Sequence, residues 1–135
     1  MTTREDLESY LIRLGADYDE VEEGLWALRP EEGGATVVVS HSPPVVLLRL
    51  KVMELPAGAD DARLGRFYRR LLELNANDLV HGSYGLEDGV VVLSDAMELE
   101  GLDFVELQSS YESLVLAAST HPAQLTELVP STTSA

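Results

Sequence analysis

The chain has no cysteine, few positive charges and no long apolar run. Without thiols there is no disulfide framework, no thiolate nucleophile and no zinc-thiolate site, which agrees with a reducing compartment. Apolar runs such as Val45 to Leu48 and Val90 to Leu93 are strand-sized and far short of the roughly 20 residues that a membrane-crossing helix needs. The opening MTTREDLESYL is charged where an export leader needs an apolar core. A soluble, cytoplasmic protein is therefore expected. Against 24 acids stand only 9 Lys and Arg, a net charge of −15. That field repels phosphate backbones and anionic headgroups, so neither nucleic acid nor a membrane surface is an expected partner. Such acidity keeps a protein dissolved, and it can keep an adhesive partner dissolved as well.

At 135 residues, one domain is expected, over residues 1–120, with a flexible tail over 121–135. Thr2 with Glu5, or Thr3 with Asp6, can cap a helix carrying Leu7, Leu11 and Leu14 at helical spacing and stopped by Gly15. An acidic segment, Asp17 to Glu23, follows. Three strands come next, Leu25 to Arg29, Thr36 to Ser40 and Val45 to Met53, joined by short Gly and Pro turns as in an antiparallel meander. Alternation divides the third strand: Val46, Leu48, Leu50 and Val52 share one face, and Val45, Leu47, Arg49, Lys51 and Met53 the other. The first is a core face. The second suits either a half-buried face covered by a helix or second subunit, or a surface that docks a peptide.

A second helix follows Asp60 and Asp61, with Leu64, Phe67, Tyr68, Leu71 and Leu72 on one stripe and Arg63, Arg66 and Arg70 on another. The basic stripe is either a solvated face or an anchor for an acidic partner. Ser83 to Leu86 and Val90 to Leu99 flank Asp88-Gly89, a hairpin signal. In the last helix Asp103 and Glu106 can form a capping box, and Phe104, Leu107, Tyr111, Leu114, Val115 and Ala118 make the buried stripe. The expected fold class is α+β, an antiparallel sheet of a three-strand meander plus a hairpin with three helices, in the order α-β-β-β-α-β-β-α.

No catalytic constellation emerges. His41, His81 and His121 each stand alone in loop contexts without a second ligand at metal spacing. DYDEVEEG fails as a calcium loop, because Val21 and Glu22 occupy positions that need an oxygen ligand and a glycine. Gly82 to Gly85 lacks the lysine and helix of a phosphate loop. No metal, cofactor or enzymatic activity is expected. Asp95 shares strand parity with Val91, Leu93 and Met97 and suits a hydrogen-bonded structural role. Trp26 suits a core aromatic or part of an exposed binding patch.

The element order, with GLWALRP, LLELNA, YGLEDGVVVL and ELEGLDFVELQSSYESLVLAAS, resembles the type III secretion chaperones and the related YbjN-like family over about Arg4 to Thr120. The resemblance implies a non-enzymatic homodimer that holds a partly unfolded segment of a partner protein. It would place apolar pockets at Leu7, Leu11, Trp26, Val45, Leu47 and Met53, by face and element. The GLDFVELQ segment and the hairpin look closer to the YbjN-like proteins, which implies a stress or regulatory role as the alternative. A structural dimerisation domain is a third reading.

Overall fold

The computed structural model describes residues 1–30 and 33–128. Helix α1 (Arg4–Leu14) starts at a reciprocal cap: Asp6 N–H donates to the Thr3 hydroxyl at 3.1 Å, and Thr3 N–H donates to the Asp6 carboxylate at 3.0 Å. Two otherwise unpaired donors of the first turn are thereby satisfied. The helix stops at Gly15, whose φ of 79° is open to a residue without Cβ. Leu7 and Leu11, one turn apart, are both buried.

Four strands follow as an antiparallel meander, β1 (Asp17–Glu22), β2 (Leu25–Arg29), β3 (Val37–Ser42) and β4 (Val45–Glu54). Helix α2 (Asp61–Asn77) carries the chain over one face to the hairpin β5 (Ser83–Glu87) and β6 (Val90–Glu98), and α3 (Phe104–Leu128) ends the fold. The six strands form one antiparallel sheet in the order β1-β2-β3-β4-β6-β5, with β1 and β5 as its edges. The α+β class is as expected, and the meander has one strand more than the three expected. In β1 almost every side chain faces water and only Tyr18 is half-buried, so no apolar alternation marks the strand in sequence.

Alternation in β4 holds as far as Lys51, with Val46, Leu48 and Leu50 buried and Leu47, Arg49 and Lys51 exposed. It then breaks. A bulge between Lys51 and Met53 inserts one residue, so that Met53 lies opposite the buried Val91 and packs against the core. The expected grouping of Met53 with Leu47 is corrected by that one-residue insertion, which swaps the face of everything after it.

In α2 the Asp60 carboxylate accepts the Arg63 N–H at 2.9 Å, and Phe67, Leu71 and Leu74 are buried. Leu72, expected on this stripe, is 68% exposed, and Leu74 takes its place. In α3 the Asp103 carboxylate accepts the Glu106 N–H at 2.8 Å. The helix continues through Pro122 to Leu128 and buries His121 and Leu125. The helix thus runs past Thr120, where the domain was expected to end, and residues 129–135 of the expected tail lie outside the described residues. Leucines of the three helices cover one face of the sheet around Trp26, Phe67, Leu48 and Leu93. Among the described residues no helix is long and apolar enough to cross a membrane.

Candidate protein-binding face

Among the described residues the helices lie on one side of the sheet and no element covers the other. In register across this open face run Leu25, Ser40, Leu47 and Ala96, and beside them Ala27, Val38, Arg49, Ser94 and Ser83. Leu47 is 40% and Val38 36% exposed, while Leu25, Ala27 and Val45 are half-buried. Leu47, Gly82, Ser83, Ser94, Asp95 and Ala96 line a shallow depression of about 320 Å³. Apolar side chains thus alternate with small hydroxyl residues, a surface that accepts an extended chain better than it accepts a polyanion or a lipid. Ser40 and Ser42 have already paired their hydroxyls with each other at 2.7 Å.

Charges frame the strip. Arg29 donates to Asp19 at 2.7 Å and to Asp17 at 3.2 Å across the β1–β2 pair. The hydrogen bonds to Asp19 and Asp17 raise the pKa of Arg29 further and keep its guanidinium charged. Arg49 pairs with Glu87. Edge strands β1 and β5 each have one side with no strand partner in this sheet, and Leu86 on β5 is exposed.

A second cluster lies on the helix side. The Tyr84 hydroxyl is 2.5 Å from Nδ1 of the buried His121, whose Nε2 lies 3.7 Å from the Asp78 carboxylate. Burial, with the Asp78 charge in a lesser role, pushes Tyr84 up to about 12. The phenol therefore keeps its proton, and because Nε2 is turned toward the Asp78 carboxylate the imidazole proton is assigned there, leaving Nδ1 to accept the hydroxyl proton. Burial lowers His121, opposed by Asp78 and assisted by Arg70. The cluster ties β5 to the end of α2 and to α3, reinforced by Asn75, which accepts the Tyr84 N–H at 2.7 Å and donates to its carbonyl at 3.3 Å. Asp95 has the structural role expected, accepting from the Ser110 hydroxyl at 2.7 Å and from the Ala96 N–H at 3.0 Å. Among the described residues no three His, Asp or Glu side chains are grouped to hold a metal ion.

The six apolar residues expected to contribute pockets are not brought together. Val45 and Leu47 lie on the open face, whereas Leu7, Leu11 and Trp26 are wholly buried. Trp26 donates its indole N–H to Glu8 at 3.3 Å, so α1 and the sheet close over it. Met53 packs on the core side. Arg66 is exposed and Arg63 and Arg70 are half-exposed on α2, across the sheet from Leu47. Sequence reasoning missed Leu25, Ala27 and Val38. Strand parity held the signal for Val38, which stands between the buried Val37 and Val39.

Residues 1–131 match the CesT_Tir_1 family. The chain belongs to this family of type III secretion chaperones. No curated protein matches it. A chain of the heterodimeric ExoU–SpcU complex from the type III secretion system of Pseudomonas aeruginosa has the same fold, with a TM-score of 0.67 at 18% identity over 92% of this chain and 98% of that one. A chain of the Yersinia pestis chaperone SycH in complex with a YscM2 fragment gives a TM-score of 0.61 at 19% identity, over 87% and 98% of the two chains. YbjN from E. coli gives 0.61 at 13% identity, over 90% and 92%. At such identities the likeness is one of fold.

Proposed function

We propose that this CesT_Tir_1 family member is a non-enzymatic, homodimeric, cytoplasmic protein-binding module that holds an extended, partly unfolded segment of a partner protein against the open sheet face. The observation that carries the reading is the strip of Leu25, Ala27, Val38, Val45 and Leu47, which no helix among the described residues covers. Burying apolar area there gains about 25 cal/mol per Å². A segment that also pairs with the free side of β1 or β5 adds main-chain hydrogen bonds. Membership of a chaperone family, and solved neighbours that are chaperone complexes, support the same reading. The likeness to YbjN supports a second one, in which the chain is a YbjN-like stress or regulatory protein.

The test is capture from the native cytoplasm with tagged wild-type chain and with Leu47→Asp, identifying bound proteins by mass spectrometry. One abundant partner, lost in a Leu47→Asp chain with unchanged melting temperature, is the expected result. The same partners on both chains would remove the open face from the assignment. Light scattering at micromolar concentration checks the dimer, and a monomer mass contradicts it.

A further inference from the structure

Between the end of α2 and the side of α3 lies a hollow of about 390 Å³, walled by Leu79, Val80, Leu116 and Ala117 and carrying Asp78 and His121. None of these residues belongs to α2 itself, so the outer face of that helix remains available to the second copy of the proposed dimer. The volume falls in the range of pockets that take small molecules. Val80 and Leu116 are largely exposed to water, whereas His121 is only 6% exposed. Its Nδ1 is engaged by the Tyr84 hydroxyl, and its Nε2 carries the ring proton toward the Asp78 carboxylate, 3.7 Å away. That gap is too long for a hydrogen bond, yet one oxygen atom can stand about 2.8 Å from both sides of it. Among the described residues neither Nε2 nor the Asp78 carboxylate has a hydrogen-bond partner. The hollow thus presents a donor and an acceptor side by side against apolar walls.

We propose that this hollow binds a small uncharged molecule with a hydroxyl group on an apolar body, the hydroxyl accepting from His121 Nε2 and donating to the Asp78 carboxylate while the body covers Leu79, Val80, Leu116 and Ala117. The polar pair selects the class. A hydroxyl accepts and donates through one atom, and so meets both groups at once. An ammonium satisfies Asp78 but has no lone pair for the Nε2 proton. A carboxylate accepts from Nε2 but stands against Asp78 and against a net charge of −15. An ether accepts without donating. Tyr84 fixes the selection, because its hydroxyl proton on Nδ1 holds the ring in the tautomer that offers Nε2–H. A bound water meets the two polar groups as well but leaves the apolar walls wet, and the alcohol adds their burial. The site lies on the helix side of the sheet and does not depend on what the Leu47 strip binds.

The experiment is an NMR titration of the full chain with cyclohexanol at neutral pH, following the His121 ring and the Ala117 methyl, with cyclohexylamine and methoxycyclohexane as probes of similar shape. The amine is a cation that only donates, and the ether only accepts. We expect saturable shifts at both residues with cyclohexanol, binding about fivefold or more weaker for the other two, and a loss of about tenfold in Asp78→Ala, the size of a lost hydrogen bond to a charged group. Leu47→Asp should bind as wild type does. Circular dichroism checks that Asp78→Ala folds, and the comparison of the three probes on the wild-type chain stands even if it does not. Absence of saturable shifts leaves water as the bridge and overturns the proposal. Equal binding of the three probes, or unchanged binding in a folded Asp78→Ala, reduces the site to an apolar hollow and overturns it as well. Tightest binding of the amine makes it a cation site instead, and loss in Leu47→Asp places the alcohol on the open face; either result overturns the proposal.

Discussion

Arg49 and Glu87 form an ion pair over a strand that belongs to neither of them: Arg49 is on β4, Glu87 on β5, and β6 runs between. Beneath lies Val92, which points to the open face between Lys51 and Gly85 yet is only 7% exposed. Gly85 has no side chain to cover it, and Arg49 and Glu87 stand diagonally from it on the two neighbouring strands. The open strip therefore ends at this pair, with Leu47 and Val38 on the uncovered side.

Glu87→Ala releases the Arg49 head and is expected to destabilise the fold by less than about 1 kcal/mol, since both partners are partly solvated. Urea unfolding at low and high salt checks this, with the difference from wild type shrinking at high salt. A loss that is the same at both salt concentrations would show that packing on Val92, not charge, is what the pair contributes.

Core and surface leucines should separate cleanly. Leu11 is sealed beneath the sheet, so Leu11→Ala leaves a cavity and is expected to cost about 2–5 kcal/mol. Leu47→Ala, on a side chain already 40% exposed, should stay within about 0.5 kcal/mol while weakening partner capture. Chemical denaturation of both variants beside the capture assay decides it, and equal stability losses would contradict the burial that separates them.

Gly82 is a position where the backbone leaves no room. Its φ is 83°, and an added Cβ would stand 2.6 Å from Leu114 Cδ2 and 2.9 Å from the Ser94 carbonyl oxygen. The leucine tip can swing aside but the β6 carbonyl cannot. Gly82→Ala is expected to cost about 2–3 kcal/mol, from left-handed strain and contact together. Gly89→Ala, with φ 78° and open space around it, should cost about 1 kcal/mol. Thermal melts of the two variants give the comparison, and equal costs would mean that the β6 contact relaxes freely.

Much of the fold was legible because its signals are local. The Thr3–Asp6 cap, the Gly15 stop, the Asp60 cap and the Asp88-Gly89 hairpin, with φ of 50° and 78°, each depend on a few neighbouring residues. Tertiary effects hid the rest. The edge strand β1 has no buried face to alternate with, and the bulge after Lys51 depends on its register with β6. Helix α3 passes Pro122, which read as the start of a tail, because burial of His121 and Leu125 offsets the local penalty. Of the site, parity gave Val45 and Leu47, but Leu7, Leu11 and Trp26 look alike in sequence whether they line a groove or a sealed core.

The buried His121 should make stability depend on pH in a definite direction. Tyr84 donates to Nδ1, so a second proton can enter the ring only where that hydroxyl proton already points. Desolvation lowers the pKa of His121 in the folded chain, with Asp78 opposing and Arg70 assisting. In the unfolded chain the ring titrates near the ordinary value of about 6.5. Between the two values the unfolded state holds more protons, so stability rises with pH through that window. The contribution of His121 is complete above about pH 6.5, declines as pH falls below it, and stops changing below the folded value. Wild type should therefore lose more stability than His121→Asn between pH 7.5 and pH 5.5. In Tyr84→Phe the vacated Nδ1 accepts a proton more readily, and its pH dependence should lie between the two. An NMR titration of the His121 ring measures the cause directly: a midpoint below the ordinary histidine range is expected, and one at or above it would reverse the sign of the pH effect.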